Sequence, residues 1–168
     1  MFKKSLIALS LLTLPLTAAA NWSAGAGYAK LSADDLSFGV IYGAVAYEFA
    51  EEGSKFSLMP ELRLGTGVTD EEVVGLGGGA KLEIDRFTAL SIRGQYNHDN
   101  GFYVYAMPAY ANLDLKYSSF YGSDSDDSWE FGFGAGVGKK FNENISVEAS
   151  YEKYDDLDVL TIGFKYAF

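Results

Sequence analysis

Four stretches of the chain alternate between large apolar residues and, in the main, small or polar ones. Phe56, Leu58, Pro60, Leu62 and Leu64 are interleaved with Ser57, Met59, Glu61, Arg63 and Gly65. Trp129, Phe131, Phe133, Ala135 and Val137 are interleaved with Glu130, Gly132, Gly134, Gly136 and Gly138. Ile145, Val147, Ala149 and Tyr151 alternate with Ser146, Glu148, Ser150 and Glu152, and Leu160, Ile162, Phe164, Tyr166 and Phe168 with Thr161, Gly163, Lys165 and Ala167. A period of two predicts strands, with each set on one face. Even-numbered apolar residues also keep phase from Leu82 to Tyr96, broken by Arg86, whereas "FGVIYGAVAYEF" (38–49) does not alternate and leaves its facing open.

Size decides which face is inside. In a soluble sandwich or ligand-binding barrel, large apolar residues converge on a shared core and charges face water. A small closed barrel has little interior volume, so Gly, Ala and Ser are expected inside and Trp, Phe and Leu outside, against lipid. That is the pattern of a transmembrane β-barrel, which closes so that no backbone group is left unpaired in hydrocarbon. Polar turns at "EEGSK" (51–55), "NHDNG" (97–101) and "NEN" (142–144) are each flanked by aromatic or large aliphatic residues. With Trp22 and Phe168 they predict one interfacial girdle. If these turns share an edge, the opposite tips fall midway, near Asp35, Leu76, Tyr121 and Asp156, each in or beside an acidic or glycine-rich stretch.

Four hairpins give an all-β, antiparallel up-and-down transmembrane barrel of eight strands. The arms of the middle two, about twenty residues long against the ~9–11 needed to cross, are expected to project beyond the outer surface. A ten-stranded alternative adds turns at "IDR" (84–86) and "ANLD" (111–114); the lack of Gly or Asn in "IDR" weighs against it.

The amino-terminal end sets the compartment. "MFKKSLIALSLLTLPLTAAA" (1–20) has a basic start at Lys3 and Lys4, an apolar run from Leu6 to Leu16 and small residues at Ala18, Ala19 and Ala20. It predicts a secretory signal peptide cut before Asn21, since the run is shorter than the ~20 residues of a spanning helix. Residues 21–168 then form a single barrel domain. Cysteine is absent, which excludes a lipid-anchored lipoprotein, thiol chemistry and Cys-ligated metal. The formal charge of −10 becomes −12 without Lys3 and Lys4, which argues against binding nucleic acid or an anionic membrane surface through a basic patch.

The leader, "NWSAGAGYAKL", "PELRLGTGV", "WEFGFGAGVGKKF" and "IGFKYAF" together resemble the small eight-stranded outer-membrane β-barrel proteins of Gram-negative bacteria. That group includes the opacity-type porin family and the membrane domain of outer membrane protein A. The resemblance covers the whole of 21–168 as a pattern, and it is most specific in the C-terminal aromatic signature and "PELRLGTGV". It implies a monomer in the cell outer membrane, surrounded by lipid and lipopolysaccharide. It also implies that the barrel assembly machinery reads the terminal strand, with Tyr166 and Phe168 as part of the signal. It brings no catalytic motif.

On the assigned faces Glu61, Arg63, Arg93, Glu130, Lys140, Glu148, Glu152 and Lys165 point inward, four of each sign. Ionisable groups at membrane depth are costly unless paired, so a salt-bridged plug is expected, with a narrow porin-like channel for small solutes or cations as the alternative. The external tips are acidic: Asp34 and Asp35; Asp70, Glu71 and Glu72; Asp124, Asp126 and Asp127; Asp155, Asp156 and Asp158. They read as a solvated rim, or as ligands for divalent cations shared with lipopolysaccharide phosphates. Asp124, Asp126 and Asp127 are the metal candidates, although "SDSDDS" lacks the glycine and distal Glu of an EF-hand loop. The single histidine, His98, falls in a turn on the opposite edge, so no hydrolase triad is available. "GLGGGAK" (75–81) lacks the Walker spacing. The expected function is non-enzymatic and cofactor-free, a structural or surface-interacting barrel; a soluble periplasmic ligand-binding barrel is the remaining alternative.

Overall fold

A computed structural model describes residues 21–33, 36–75, 78–119 and 122–168, with side chains described outside 70–83 and 115–128. The predicted signal peptide, the acidic tip at Asp34 and Asp35, and the hairpin midpoints Leu76 and Tyr121 lie outside the described residues. The strands are β1 (Trp22–Ala33), β2 (Leu36–Tyr47), β3 (Phe49–Ala50), β4 (Phe56–Gly67), β5 (Asp70–Gly75), β6 (Gly78–Asn97), β7 (Phe102–Ser119), β8 (Gly122–Lys140), β9 (Ile145–Tyr154) and β10 (Leu157–Ala167). Eight of them close an antiparallel ring in the order β1, β2, β4, β6, β7, β8, β9, β10. The seam between β10 and β1 runs from Ser23 opposite Ala167 to Ser32 opposite Asp158. The two-residue β3 pairs with β4 alone, and β5 pairs with β6 alone, beyond the ring.

The alternating residues sit as their period requires. Phe56, Leu58, Leu62 and Leu64 on β4, Phe131, Phe133 and Val137 on β8, and Leu160, Ile162, Phe164 and Tyr166 on β10 are all exposed on the outer wall. The short turns at 51–55, 98–101 and 141–144 share one end, where Gly53 and Gly101 take the left-handed φ of 78° and 83°. The other end is uneven. β6, β7 and β8 run for 20, 18 and 19 residues, while β9 and β10 have 10 and 11 and join at a tight turn over Asp155 and Asp156.

Two expectations change. The ten-strand alternative fails because β6 and β7 run straight through 84–86 and 111–114. The pairing shifts by one residue between Ile84 and Arg86, so the break in pattern at "IDR" is a β-bulge and not a turn. The rule of small residues inside also fails in the long-hairpin half, where Leu31, Phe38, Val40, Ile84, Phe87, Tyr154 and Val159 are buried within the ring. The reason is local compensation: a large side chain on one strand fills the space over a glycine on its neighbour. Val40 lies over Gly65, Ile84 over Gly67 and Tyr154 over Gly132, and toward the short turns Tyr103 and Tyr105 lie over Gly138 and Gly136 in the same way. The unassigned second strand follows the same logic, with Phe38, Val40, Tyr42, Ala44 and Ala46 turned inward.

A Cβ at Gly136 would overlap the Tyr105 ring, whereas one at Gly94 meets only the Ala106 carbonyl oxygen at 3.9 Å. Gly136→Val is therefore expected to destabilise the barrel by about 1–3 kcal/mol through overpacking, and Gly94→Ala to be tolerated. Urea-unfolding midpoints read from heat-modifiable gel migration measure both, and equal midpoints for the two variants would contradict the packing described.

Candidate functional site

Alternation on β4, β6, β9 and β10 aims six charged side chains into the lumen at mid-depth. Arg63 donates from Nη1 and Nη2 to the two carboxylate oxygens of Glu152, both at 2.6 Å. Arg93 Nη1 donates to Glu148 Oε2 at 2.6 Å, and its Nη2 donates to Glu148 Oε1 and Glu61 Oε2, both at 3.0 Å. Lys165 Nζ donates to Glu61 Oε2 at 2.9 Å and stands 3.7 Å from Glu148 Oε1. Arg63 Nε stands 3.6 Å from Glu61 Oε1, which joins the three cations and three carboxylates into one cluster of zero formal charge. Glu152 is 0 % exposed, and Arg63 and Arg93 are each 2 % exposed.

Each of the six ions has one partner across the lumen, while Arg93 and Glu61 also meet between the neighbouring strands β6 and β4. In the ring order β4 and β9 are diametrically opposite, so the Arg63–Glu152 fork spans the barrel. Desolvating an ion costs several kcal/mol, and paired charge-assisted hydrogen bonds offset that cost only when the geometry is good. Aromatic residues complete it. Tyr154 Oη donates to Glu152 Oε2 at 2.7 Å and Tyr103 Oη to Glu148 Oε2 at 3.1 Å. The Arg93 guanidinium carbon lies 3.9 Å from the Tyr105 ring centroid, within cation–π range.

The lumen is layered around this cluster. Toward the long hairpins an apolar layer of Leu31, Phe38, Val40, Ile84, Phe87 and Val159 fills the section. Toward the short turns Tyr103, Tyr105 and Met107 form a smaller buried group. Beyond it a mouth cavity of about 290 Å³ opens, with Ser23, Gln95, Lys140 and Lys165 among its walls.

Of the eight inward charges expected from the sequence, the structure brings six together. Glu130 stands on β8 opposite Ala111, nearer the long hairpins, and Lys140 lines the mouth. Sequence reasoning passed over Tyr103, Tyr105 and Tyr154. In "FYVYAMPAY" both faces are apolar, and only the pairing of Tyr103 with Gly138 and Tyr105 with Gly136 shows which face has room inside. Tyr166 and Phe168 sit at the closing seam, with ring centroids 6.4 Å apart and the Phe168 N–H donating to the Trp22 carbonyl at 3.0 Å. Asp124, Asp126 and Asp127 belong to the outer part of β8, where side chains are not described. Among the described residues no group of three or more His, Asp or Glu side chains is placed to hold a metal ion. His98 lies in the exposed turn beside Asp99, which accepts from Lys55 Nζ at 2.7 Å across two short turns. That hydrogen bond raises the Lys55 pKa above its ordinary value and lowers that of Asp99.

A closed ring of eight strands, apolar outside and with its mid-depth charges paired, is the architecture of a transmembrane β-barrel. Residues 5–168 match the family model of the outer membrane protein beta-barrel domain, and the chain belongs to that family. Its place is the cell outer membrane. A search of curated protein sequences found no match. Solved structures share the fold at low identity. The attachment invasion locus protein Ail of Yersinia pestis aligns at TM-score 0.60 and 19% identity, covering 88% of this chain and 97% of that one. The N-terminal β-barrel domain of OprF from Pseudomonas aeruginosa aligns at 0.59 and 15%, covering 87% and 97%. OprG from the same organism aligns at 0.55 and 15%, covering 89% and 97%.

Arg63→Met would leave Glu152 buried with Tyr154 as its remaining hydrogen-bond donor. The expected loss is about 3–5 kcal/mol, most of it regained in Arg63→Met/Glu152→Met. A double-mutant cycle on unfolding free energies in lipid vesicles checks this; additive losses would show that the fork is not coupled.

Proposed function

We propose that the protein is a non-enzymatic, monomeric outer-membrane barrel whose lumen is closed and which acts through its outer hairpins. The observation that carries this reading is the succession of two different barriers along one axis: the neutral ion cluster, then the apolar layer. A conducting path needs continuous water. Rearranging the ion pairs alone would still leave Leu31, Phe38 and Phe87 across the section. The large apolar and aromatic residues of the outer wall support contact with lipid, and the short-turn end is the periplasmic one in barrels of this kind.

The tall strands β6, β7 and β8 carry the exposed chemistry outward. Ail has been crystallised with sucrose octasulfate, a heparin analogue. The outer tips of this chain are instead acidic, with Asp70, Glu71, Glu72, Asp124, Asp126, Asp127, Asp155 and Asp156. Such a rim repels polysulfates, so its partners are cationic groups or divalent cations bridging to lipopolysaccharide phosphates. Residues 1–20 act as the export signal, and Tyr166 and Phe168 as part of the signal read by the barrel assembly machinery.

Folded protein in planar bilayers is expected to give no reproducible unitary conductance steps; their appearance would overturn the closed reading. Phe168→Ala is expected to lower the amount of barrel inserted in cells several-fold while leaving the unfolding midpoint of purified barrel within about 0.5 kcal/mol of the wild type. Equal insertion would remove Phe168 from the assembly signal.

A further inference from the structure

The mouth cavity has polar chemistry that closure of the lumen does not use. Ser23 is 3% exposed, lines the cavity, and has a hydroxyl with no hydrogen-bond partner. Lys140 stands on the inward row of β8 and, among the described residues, makes no ion pair. Lys165 reaches the cavity from behind, already engaged with Glu61 and Glu148. Carboxylates stand in the same wall: Glu48, beside Trp22, and Glu143, in the exposed turn, neither of them ion-paired among the described residues.

Charge therefore has a direction here. The mid-depth cluster is neutral, so among the side chains of this wall the local field is set by Lys140 and by Glu48 and Glu143. A buried hydroxyl without a partner is costly, and a ligand oxygen would satisfy it. A purely anionic solute would meet two carboxylates, and a purely cationic one would meet Lys140 and Lys165. A molecule carrying both charges matches both, and opposed charges on a small solute set its orientation as well as its affinity. The volume of about 290 Å³ sits at the small edge of ligand pockets, which excludes sugars larger than a monosaccharide and long peptides. Met59, buried on the inward row of β4, supplies an apolar wall for a short side chain.

We propose that this mouth binds a small zwitterion of amino-acid or dipeptide size from the periplasmic side. Its carboxylate sits against Lys140 and the Ser23 hydroxyl, and its ammonium group sits at Glu48 and Glu143. The site does not depend on whether the lumen conducts.

The test is titration of the folded full barrel in phospholipid nanodiscs with L-alanyl-L-alanine, followed by NMR at the Ser23 and Gln95 amides and the Trp22 indole. Saturable shifts are expected. The N-acetylated, C-amidated form of the same dipeptide, which carries neither charge, should bind at least tenfold more weakly. Lys140→Gln and Glu48→Gln should each weaken binding about tenfold, or ~1.4 kcal/mol, without changing heat-modifiable migration. Should Lys140→Gln fail to fold, the half-exposed Glu48→Gln carries the comparison. The proposal is overturned by absence of saturable shifts at concentrations that fill a millimolar site. It is equally overturned by undiminished binding of the blocked dipeptide, or by affinity indifferent to the substitutions.

Discussion

In hydrocarbon a backbone N–H or C=O without a partner costs several kcal/mol, and almost everything else in this barrel follows from that constraint. It requires the β1–β10 seam, because an open sheet would leave two unpaired edges. With eight strands in the ring, closure leaves a narrow lumen. A narrow lumen must be filled, and this chain fills it by setting large side chains over glycines on the adjacent strand. β8 shows the arrangement most fully: its inward glycines from Gly132 to Gly138 are what allow two tyrosines from β7 and one from β9 to lie inside.

The same narrowness explains the charges. Side chains from opposite walls can reach each other only because the ring is small, and a wider ring would leave Arg63 and Glu152 separated by water. Pairing across the lumen gives each ion a partner on a distant strand. It also divides the interior into unlike compartments, apolar toward the long hairpins and polar toward the short turns. The polar half is where Lys140 and Ser23 are left with capacity to spare.

How much of this was legible in the sequence depended on how many pressures act on a position. On β4, β8, β9 and β10 one face meets lipid and the other meets small or charged residues, so a period of two was enough to assign both. The three short turns were legible for a related reason, since polar stretches flanked by large apolar residues recur at nearly regular spacing. On β2 and β7 both faces are apolar, and only cross-strand register separates Tyr105 inside from Val104 outside. Periodicity also gives the face of a residue but not its height, so Glu130 and Lys140 share an inward row with no part in the central cluster. At Asp85 a single extra residue leaves a turn open as an alternative because a bulge and a turn both interrupt alternation.

The long reach of the ion pairs has a consequence for how the barrel comes together. Arg93 and Glu148 are 55 residues apart in the chain, Arg63 and Glu152 are 89 apart, and Glu61 and Lys165 are 104 apart. No hairpin forming alone can satisfy any of them. A half-assembled sheet that entered hydrocarbon would carry Glu152 without its fork and the other ions short of a partner until the opposite wall arrived. Arg93 can meet Glu61 between β6 and β4, and Lys165 can approach Glu148 between β10 and β9, before the ring closes, but the Arg63–Glu152 fork forms only when opposite walls meet, so partly inserted intermediates are disfavoured by side chains that stabilise the finished barrel.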